Sequence, residues 1–327
     1  MIERRRSCDR IAVLFVSLAA LIAPSLQARG GKRCSLRLEL GGGWQFLDPG
    51  DLNQAVAADD QLQDLQYERY LAHLQDAGSI RSWNARLEGR RRPVRGGAMF
   101  EPRLRLDFAG PLSVSAGLRV MEAGRSCELL SEYTRELGGG DQDVETLSYS
   151  PYRLSVRGWW PSIAVHFRRR LVRHFVAEAH AALGPLFASV RYRAAWTYAW
   201  DMRGPDYSWP VFRSEGEREE KGSGTGVGVE LGGRFERALN RRLALFLAAG
   251  YYGGRVNSLS GTGREERAAS TWTWSGKWLT RQETVITPWG TLSRRFPTCR
   301  PQEGASDSPF RLDLSGWLLR IGLSLKL

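Results

Sequence analysis

The residues at the end of this 327-residue chain place the strongest constraint on its fold. From Leu319 to Leu327 the odd-numbered residues are apolar, and the even-numbered ones are polar or small. Period-two alternation is typical of a strand with two chemically different faces. Because the alternation continues to Leu327, we expect this strand to close a barrel with a lipid-facing outside and a polar inside. The alternative is an edge strand of a soluble β-sandwich.

Leu312 and Leu314 are apolar but even-numbered, so they do not follow this alternation. A continuous strand cannot change faces, and we therefore predict a β-bulge at Ser315 and Gly316. The alternative places both leucines above the membrane, where the inside–outside rule relaxes.

The beginning of the chain predicts export from the cytoplasm. Four arginines (Arg4, Arg5, Arg6 and Arg10) precede an apolar run at residues 11–23. A basic segment, a short apolar run and a small residue at Ala28 predict a signal peptide at residues 1–28, followed by one barrel domain at 29–327. The alternative is an uncleaved anchor, although the apolar run is short for a membrane helix.

Seven more segments alternate in the same way, and most are close to the length of a tilted strand that crosses a bilayer. They lie at residues 35–47, 98–108, 112–122, 149–168, 174–192, 226–238 and 243–255. Short connections alternate strictly with long ones, and the long ones are at about residues 48–97, 123–148, 193–225 and 256–309. Outer-membrane barrels combine short periplasmic turns with long extracellular loops in this order.

The predicted fold is therefore all-β: a single transmembrane, antiparallel, up-and-down barrel of eight strands. Ten strands remain an alternative, because residues 271–287 could add a hairpin. Within the first long loop, residues 51–76 have apolar residues near helical spacing and predict an amphipathic helix.

An eight-stranded barrel has an interior that side chains fill. The polar positions of the predicted strands form the expected lumen-lining set. This set is Arg37, Glu39, Glu101, Arg103, Arg105, Asp107, Arg119, Glu178, His180, Glu230, Arg234, Glu236, Arg320 and Lys326. Because both charge signs are present, we expect a salt-bridged filling rather than a wide pore.

Three functions are compatible with such a barrel. The first is a structural role, or an interaction role through the loops. The second is a passive channel for small or hydrophobic solutes, with a preference for anions or acidic amphiphiles. The third is a lumenal hydrolase built from Ser162, His180 and Glu178. It requires the turn between their two strands to be centred near Leu171, which places Ser162 opposite His180. We favour the first and expect no enzymatic activity, no catalytic residue and no cofactor. No metal is expected either, since no spacing of His, Cys and Asp matches a known ligand pattern.

The positive charge of the chain does not by itself indicate nucleic acid. The net charge is +12, but nearly all basic residues are arginine, which is more simply a coding bias, and an exported chain rarely meets DNA. The expected partners are outer-membrane lipid and lipopolysaccharide, whose phosphates suit arginine. We expect a monomer. A disulfide between Cys127 and Cys299 is conceivable in an oxidising compartment.

The last eight residues resemble the signal that the barrel-assembly machinery of bacteria reads. Arg320, Gly322, Leu325 and Leu327 match its pattern, although the last residue is usually aromatic. The segments GGGWQFLDPGDLN, LALFLAAGYYGGRV and DLSGWLLRIGL also resemble a family of bacterial outer-membrane β-barrel proteins, similar to the opacity-protein and outer-membrane-protein-W types. The resemblance implies a location in the bacterial outer membrane and contact with the assembly machinery. The function of this family is generally uncharacterised, so the resemblance implies no activity.

Overall fold

The computed structural model describes residues 34–47, 49, 68, 71–78, 80–89, 94–137, 141–172, 174–268, 270–287, 290–298 and 306–327. The predicted signal peptide, most of the predicted helix and Cys299 lie outside these residues, so those predictions stay predictions. Residues 71–76 are helical. Among the described residues, no helix is long and apolar enough to cross a membrane.

The rest of the described chain is almost entirely strand. The first eight strands are β1 (Ser35–Phe46), β2 (Ser82–Glu88), β3 (Gly96–Asp107), β4 (Leu112–Glu136), β5 (Gln142–Val172), β6 (Phe175–Arg203), β7 (Ser208–Ala238) and β8 (Leu243–Val256). The others are β9 (Leu259–Arg267), β10 (Ser270–Lys277), β11 (Leu279–Thr287), β12 (Gly290–Thr298), β13 (Ser306–Pro309), β14 (Leu312–Asp313) and β15 (Gly316–Lys326).

Eight of these strands form a closed antiparallel ring in the order β1-β3-β4-β5-β6-β7-β8-β15. The last strand pairs with the first, from Arg37 opposite Lys326 to Gln45 opposite Leu318. It also pairs with β8, which completes the ring. The prediction of an eight-stranded antiparallel barrel is therefore confirmed. Residues 271–287 do not widen the barrel, because β10 pairs with β9 and β11 belongs to a separate three-stranded sheet.

The ring strands end in short turns at one end of the barrel and continue far beyond it at the other. Strands β4 to β7 are 25 to 31 residues long, about three times the length that a membrane crossing needs. The predicted loops at 123–148 and 193–225 are therefore corrected: most of their residues belong to paired arms of the long strands β4 to β7. In the outer parts of these strands apolar and polar residues no longer alternate strictly, as at Ala194, Ala195 and Trp196, while the backbone pairing continues.

A belt of exposed apolar side chains surrounds the barrel near the short turns. Each ring strand contributes: Leu40, Phe100, Leu112, Ile163, Leu183, Leu231, Leu247 and Ile321 are examples, one from each strand. An apolar surface of this extent marks contact with lipid or another apolar partner. Large aromatic residues lie towards its edges, with Tyr251 and Trp317 in edge-to-face contact at the long-strand end.

The predicted bulge at Ser315 and Gly316 is absent from this strand. Leu312 lies opposite Val256, and Gly316 lies opposite Tyr252, so the chain gains no residue between β14 and β15. Leu312 and Leu314 are buried on the inward side, as the even-numbered Leu318 is. The even-numbered leucines therefore keep their face, and the interior is apolar at this level. This finding corrects the expectation of a polar interior throughout.

Candidate functional site

The inside of the ring, near the short turns, holds acidic and basic side chains that pair with one another. The carboxylates are Glu39, Glu101, Asp107, Glu178, Glu230 and Glu236, and the guanidinium groups are those of Arg37, Arg103, Arg105, Arg119, Arg168, Arg234 and Arg320. All of these are buried except Arg37 and Arg168, whose side chains are 20% and 25% exposed. Lys326, the remaining basic member of the predicted lumen-lining set, is exposed because it lies one residue from the end of the chain.

One half of this charged layer centres on two glutamates. Glu101 accepts hydrogen bonds from Arg119, at 2.8 and 3.0 Å, and also from Arg103 and Arg320. Glu230 accepts from Arg320 at 2.6 Å and pairs with Arg119. Because these carboxylates share guanidinium groups from three strands, they tie opposite walls of the barrel together.

The other half centres on Arg105 and Arg234. Arg105 donates to both oxygens of Glu178, at 2.7 and 2.8 Å, and to Asp107 at 2.8 Å. Arg234 donates to Glu39 and to Glu236, each at 2.7 Å. These two arginines cross the interior between β3, β6, β7 and β1, so their charges are paired although water has little access.

Two buried histidines lie between the halves of the charged layer. Nδ1 of His166 is 2.8 Å from Glu178, and its Nε2 is 2.8 Å from the Ser115 hydroxyl. His180 is 2.7 Å from Glu230, and its ring stacks on His166 at 5.6 Å. The histidines therefore connect the two ionic networks.

The predicted grouping of Ser162, His180 and Glu178 is not formed. His166, not Ser162, lies opposite His180, because the β5–β6 turn is centred two residues later than the sequence suggested. The Ser162 hydroxyl has no hydrogen-bond partner within the described structure. Neither His166 nor Ser115 belongs to the predicted cluster, although both are buried on the inward faces of their strands.

Ser115, His166 and Glu178 have the connectivity of a serine–histidine–acid triad. Their surroundings do not suit such chemistry, since both oxygens of Glu178 are held by Arg105. The adjoining void between the charged side chains measures about 10 Å³, which is about the space that one water needs. The arrangement can hold protons and orient side chains, but it has no room for a substrate beside the serine.

Above the charged layer, the interior is closed by apolar side chains. Trp160 and Tyr252 pack edge to face, 4.9 Å apart, and are completely buried. The Arg119 guanidinium lies over both rings, at 4.7 and 5.4 Å, and joins the two layers. Leu186 and Leu314, also fully buried, belong to the same cluster. We call this cluster the apolar plug.

The residues of the assembly signal lie on both faces of the last strand. Arg320 points inward to Glu101 and Glu230, and Leu325 and Leu327 are exposed on the outside. A Cβ atom at Gly322 would lie 2.2 Å from the Leu40 carbonyl oxygen, so a larger residue would disturb the closing seam. Among the described residues, no group of three His, Cys, Asp or Glu side chains is arranged to hold a metal ion.

Comparisons with known proteins do not identify a family. No family model and no curated protein matches the sequence. The structure is similar to a major outer membrane protein from Thermus thermophilus, with 12% identity, a TM-score of 0.29, and coverage of 89% of this chain and 99% of the other. It is also similar to the outer membrane protease OmpT from Escherichia coli, with 8% identity, a TM-score of 0.26, and coverage of 92% and 99%. A third neighbour is the TodX monoaromatic hydrocarbon channel, with 6% identity, a TM-score of 0.17, and coverage of 91% and 90%. Because these TM-scores are low, the assignment of a barrel fold rests on the strand pairing of this chain itself.

Proposed function

We propose that this protein is an integral barrel of the bacterial outer membrane with a closed interior, and that its role is structural or depends on interactions of its long strands. One observation carries the proposal: the ring interior is filled by a layer of paired acidic and basic side chains beneath the apolar plug. A conducting pore needs a continuous aqueous path, whereas the void in the charged layer measures about 10 Å³.

The apolar belt supports the membrane location. Exposed leucine, isoleucine and phenylalanine side chains surround the whole ring, and burying them against lipid is favourable by about 25 cal/mol for each Å² of apolar surface. The orientation follows from the short turns, which face the periplasm in barrels of this kind, so β4 to β7 extend from the outer surface. Their hairpins are the surface available for partners.

Planar-bilayer recordings of the refolded chain test the closed interior. We expect no defined single-channel openings, together with the heat-modifiable gel mobility that marks a folded barrel. A variant in which Arg119→Ala and Trp160→Ala remove the junction of the two layers is expected to conduct, which shows that the assay can detect an opening. Discrete openings of the unmodified barrel would instead support the passive channel.

A further inference from the structure

A basic groove lies on the outer wall of the barrel, beyond the edge of the apolar belt. It consists of Arg153, Arg157, Arg191, Arg193 and Lys221, on the outward faces of β5, β6 and β7. Their chain neighbours Leu154, Val156 and Val190 are buried on the inward side, which fixes the direction of the basic side chains. The groove encloses about 830 Å³, a volume typical of ligand sites.

The arrangement of these charges is unfavourable without an anion. Arg153 lies directly opposite Arg193 on the neighbouring strand, and Arg191 lies directly opposite Lys221. Like charges in opposed positions of a sheet destabilise it. Two such contacts side by side therefore require anionic groups in the groove, from the chain itself or from a ligand.

The local carboxylates only partly offset this charge. Glu122 pairs with Arg157 at 2.7 Å, Glu217 pairs with Arg193 at 2.6 Å, and Glu219 pairs with both Arg191 and Lys221. Arg125 also lines the groove, so six basic groups face three acidic ones. Burial alone would raise the pKa of Glu219, but its bonds to Lys221 and Arg191 lower it, so the acid is held in its charged form by an excess of cations.

The depth of the groove points to a membrane ligand. On β6 the outward face is apolar or small from Phe175 to Phe187, a rise of about 30 Å along a tilted strand. This is close to the thickness of the hydrocarbon core. Ser189, Arg191 and Arg193 follow at once on the same face, at the level of lipid head groups.

We propose that the basic groove binds the phosphorylated sugar head group of a glycolipid of the outer leaflet. Arginine forks bind phosphate oxygens in pairs, and the hydroxyls of Ser155, Ser189 and Ser223 lie in the same groove as partners for sugar. The inference rests on the proposed function, since only a barrel that spans the membrane brings the groove to this depth. The acyl chains then lie along the apolar belt below.

Native mass spectrometry of the full-length mature chain in detergent tests the groove. The probes are bisphosphorylated lipid A and its fully dephosphorylated form. We expect tighter binding of the phosphorylated lipid, and a loss of about tenfold or more in affinity when Arg153→Gln and Arg193→Gln are combined. The control combines Arg86→Gln and Arg213→Gln, two exposed arginines outside the groove, and is expected to leave the affinity within about twofold.

Stability measurements separate a lipid site from a merely structural one. Without phosphorylated lipid, the groove variant should be about as stable as the parent, because the like-charge contact and the partly exposed Arg193–Glu217 pair are lost together. With lipid, it should gain less stability than the parent. The proposal would be overturned if the parent bound both lipids with equal affinity, or if the control variant lost as much affinity as the groove variant. Neither result would bear on the barrel fold. Absence of heat-modifiable mobility in the parent would instead reject the membrane barrel. If the groove variant does not fold into the barrel, the proposal is tested by the parent alone, which should bind the phosphorylated lipid more tightly than the dephosphorylated one.

Discussion

Replacing Arg234 with methionine is expected to lower the free energy of unfolding of the barrel by about 3–5 kcal/mol. Arg234 is 5% exposed and donates to Glu39 and Glu236, each at 2.7 Å. Methionine keeps much of the length of the side chain but not its charge. Glu39 would retain only Arg105, at 3.5 Å, and that arginine already holds Glu178 and Asp107. A buried carboxylate without a close cation is the source of the cost.

A double-mutant cycle isolates this contact. Glu39→Gln removes the other partner, and the double variant has lost one acidic and one basic group, so the net charge of the interior is unchanged. Glu236 keeps Arg37 at 2.6 Å, so the second contact of Arg234 does not leave a lone charge. We therefore expect the double variant to cost less than the sum of the single variants, with a coupling energy of about 2 kcal/mol.

Urea titration of the protein folded in lipid vesicles, followed by tryptophan fluorescence, measures these energies. The matched control is Arg213→Met, because the Arg213–Glu215 pair is 3.3 Å long but its side chains are 70% and 64% exposed. We expect no measurable change there. A cost below about 1 kcal/mol for Arg234→Met, with no coupling to Glu39, would show charges screened by lumenal water. That result would refute the closed ionic layer.

Three further outcomes follow from the structure. Trp160→Ala should lower the free energy of unfolding by about 3–5 kcal/mol in the same titration, and Trp160→Phe by less, because the plug loses one of its two buried tryptophans. An equal, small effect of both changes would contradict close packing there. Burial, and then its hydrogen bond to Glu145, raises the pKa of Tyr198 to about 12, so its stabilisation holds below about pH 10 and is lost as the pH rises through about 12. In the parent, the tyrosinate of Tyr198 should form only near pH 12, and its ultraviolet absorbance reports this. Tyr198→Phe should therefore remove an absorbance change near pH 12. Removal of an absorbance change near pH 10 would contradict the raised pKa. Ser115 should take up no label from a fluorophosphonate probe; labelling that Ser115→Ala abolishes would indicate a reactive serine.

The alternating segments predicted the ring, and the reason is physical. Where one face of a strand meets lipid and the other meets charged side chains, every second residue must change character, so strands and their number can be read from the sequence. The charged members of the interior followed from the same parity, from Glu39 on the first strand to Arg320 on the last. Lys326 is also at an inward position by this parity, but it is exposed at the end of β15. The alternation alone does not tell which inward positions lie at the rim of the ring.

Other features left no such trace. Most of residues 123–148 and 193–225 belong to paired strands in which apolar and polar residues do not alternate strictly, and such a sequence gives no strand signal. The partnership of Ser115 with His166 depends on the position of two turns, and a shift of one residue would separate the side chains. Leu312 and Leu314 suggested a bulge because the interior was expected to be polar at every level.

The sequence by itself determined that this chain forms a barrel with a charged interior, because the faces of its strands are set residue by residue. Only the tertiary structure decided where its charges pair and which apolar side chains pack above them. This packing depends on side chains from different strands meeting across the ring, such as Arg119 over Trp160 and Tyr252. Such meetings are fixed by strand stagger, a property of the assembled ring that no single strand encodes.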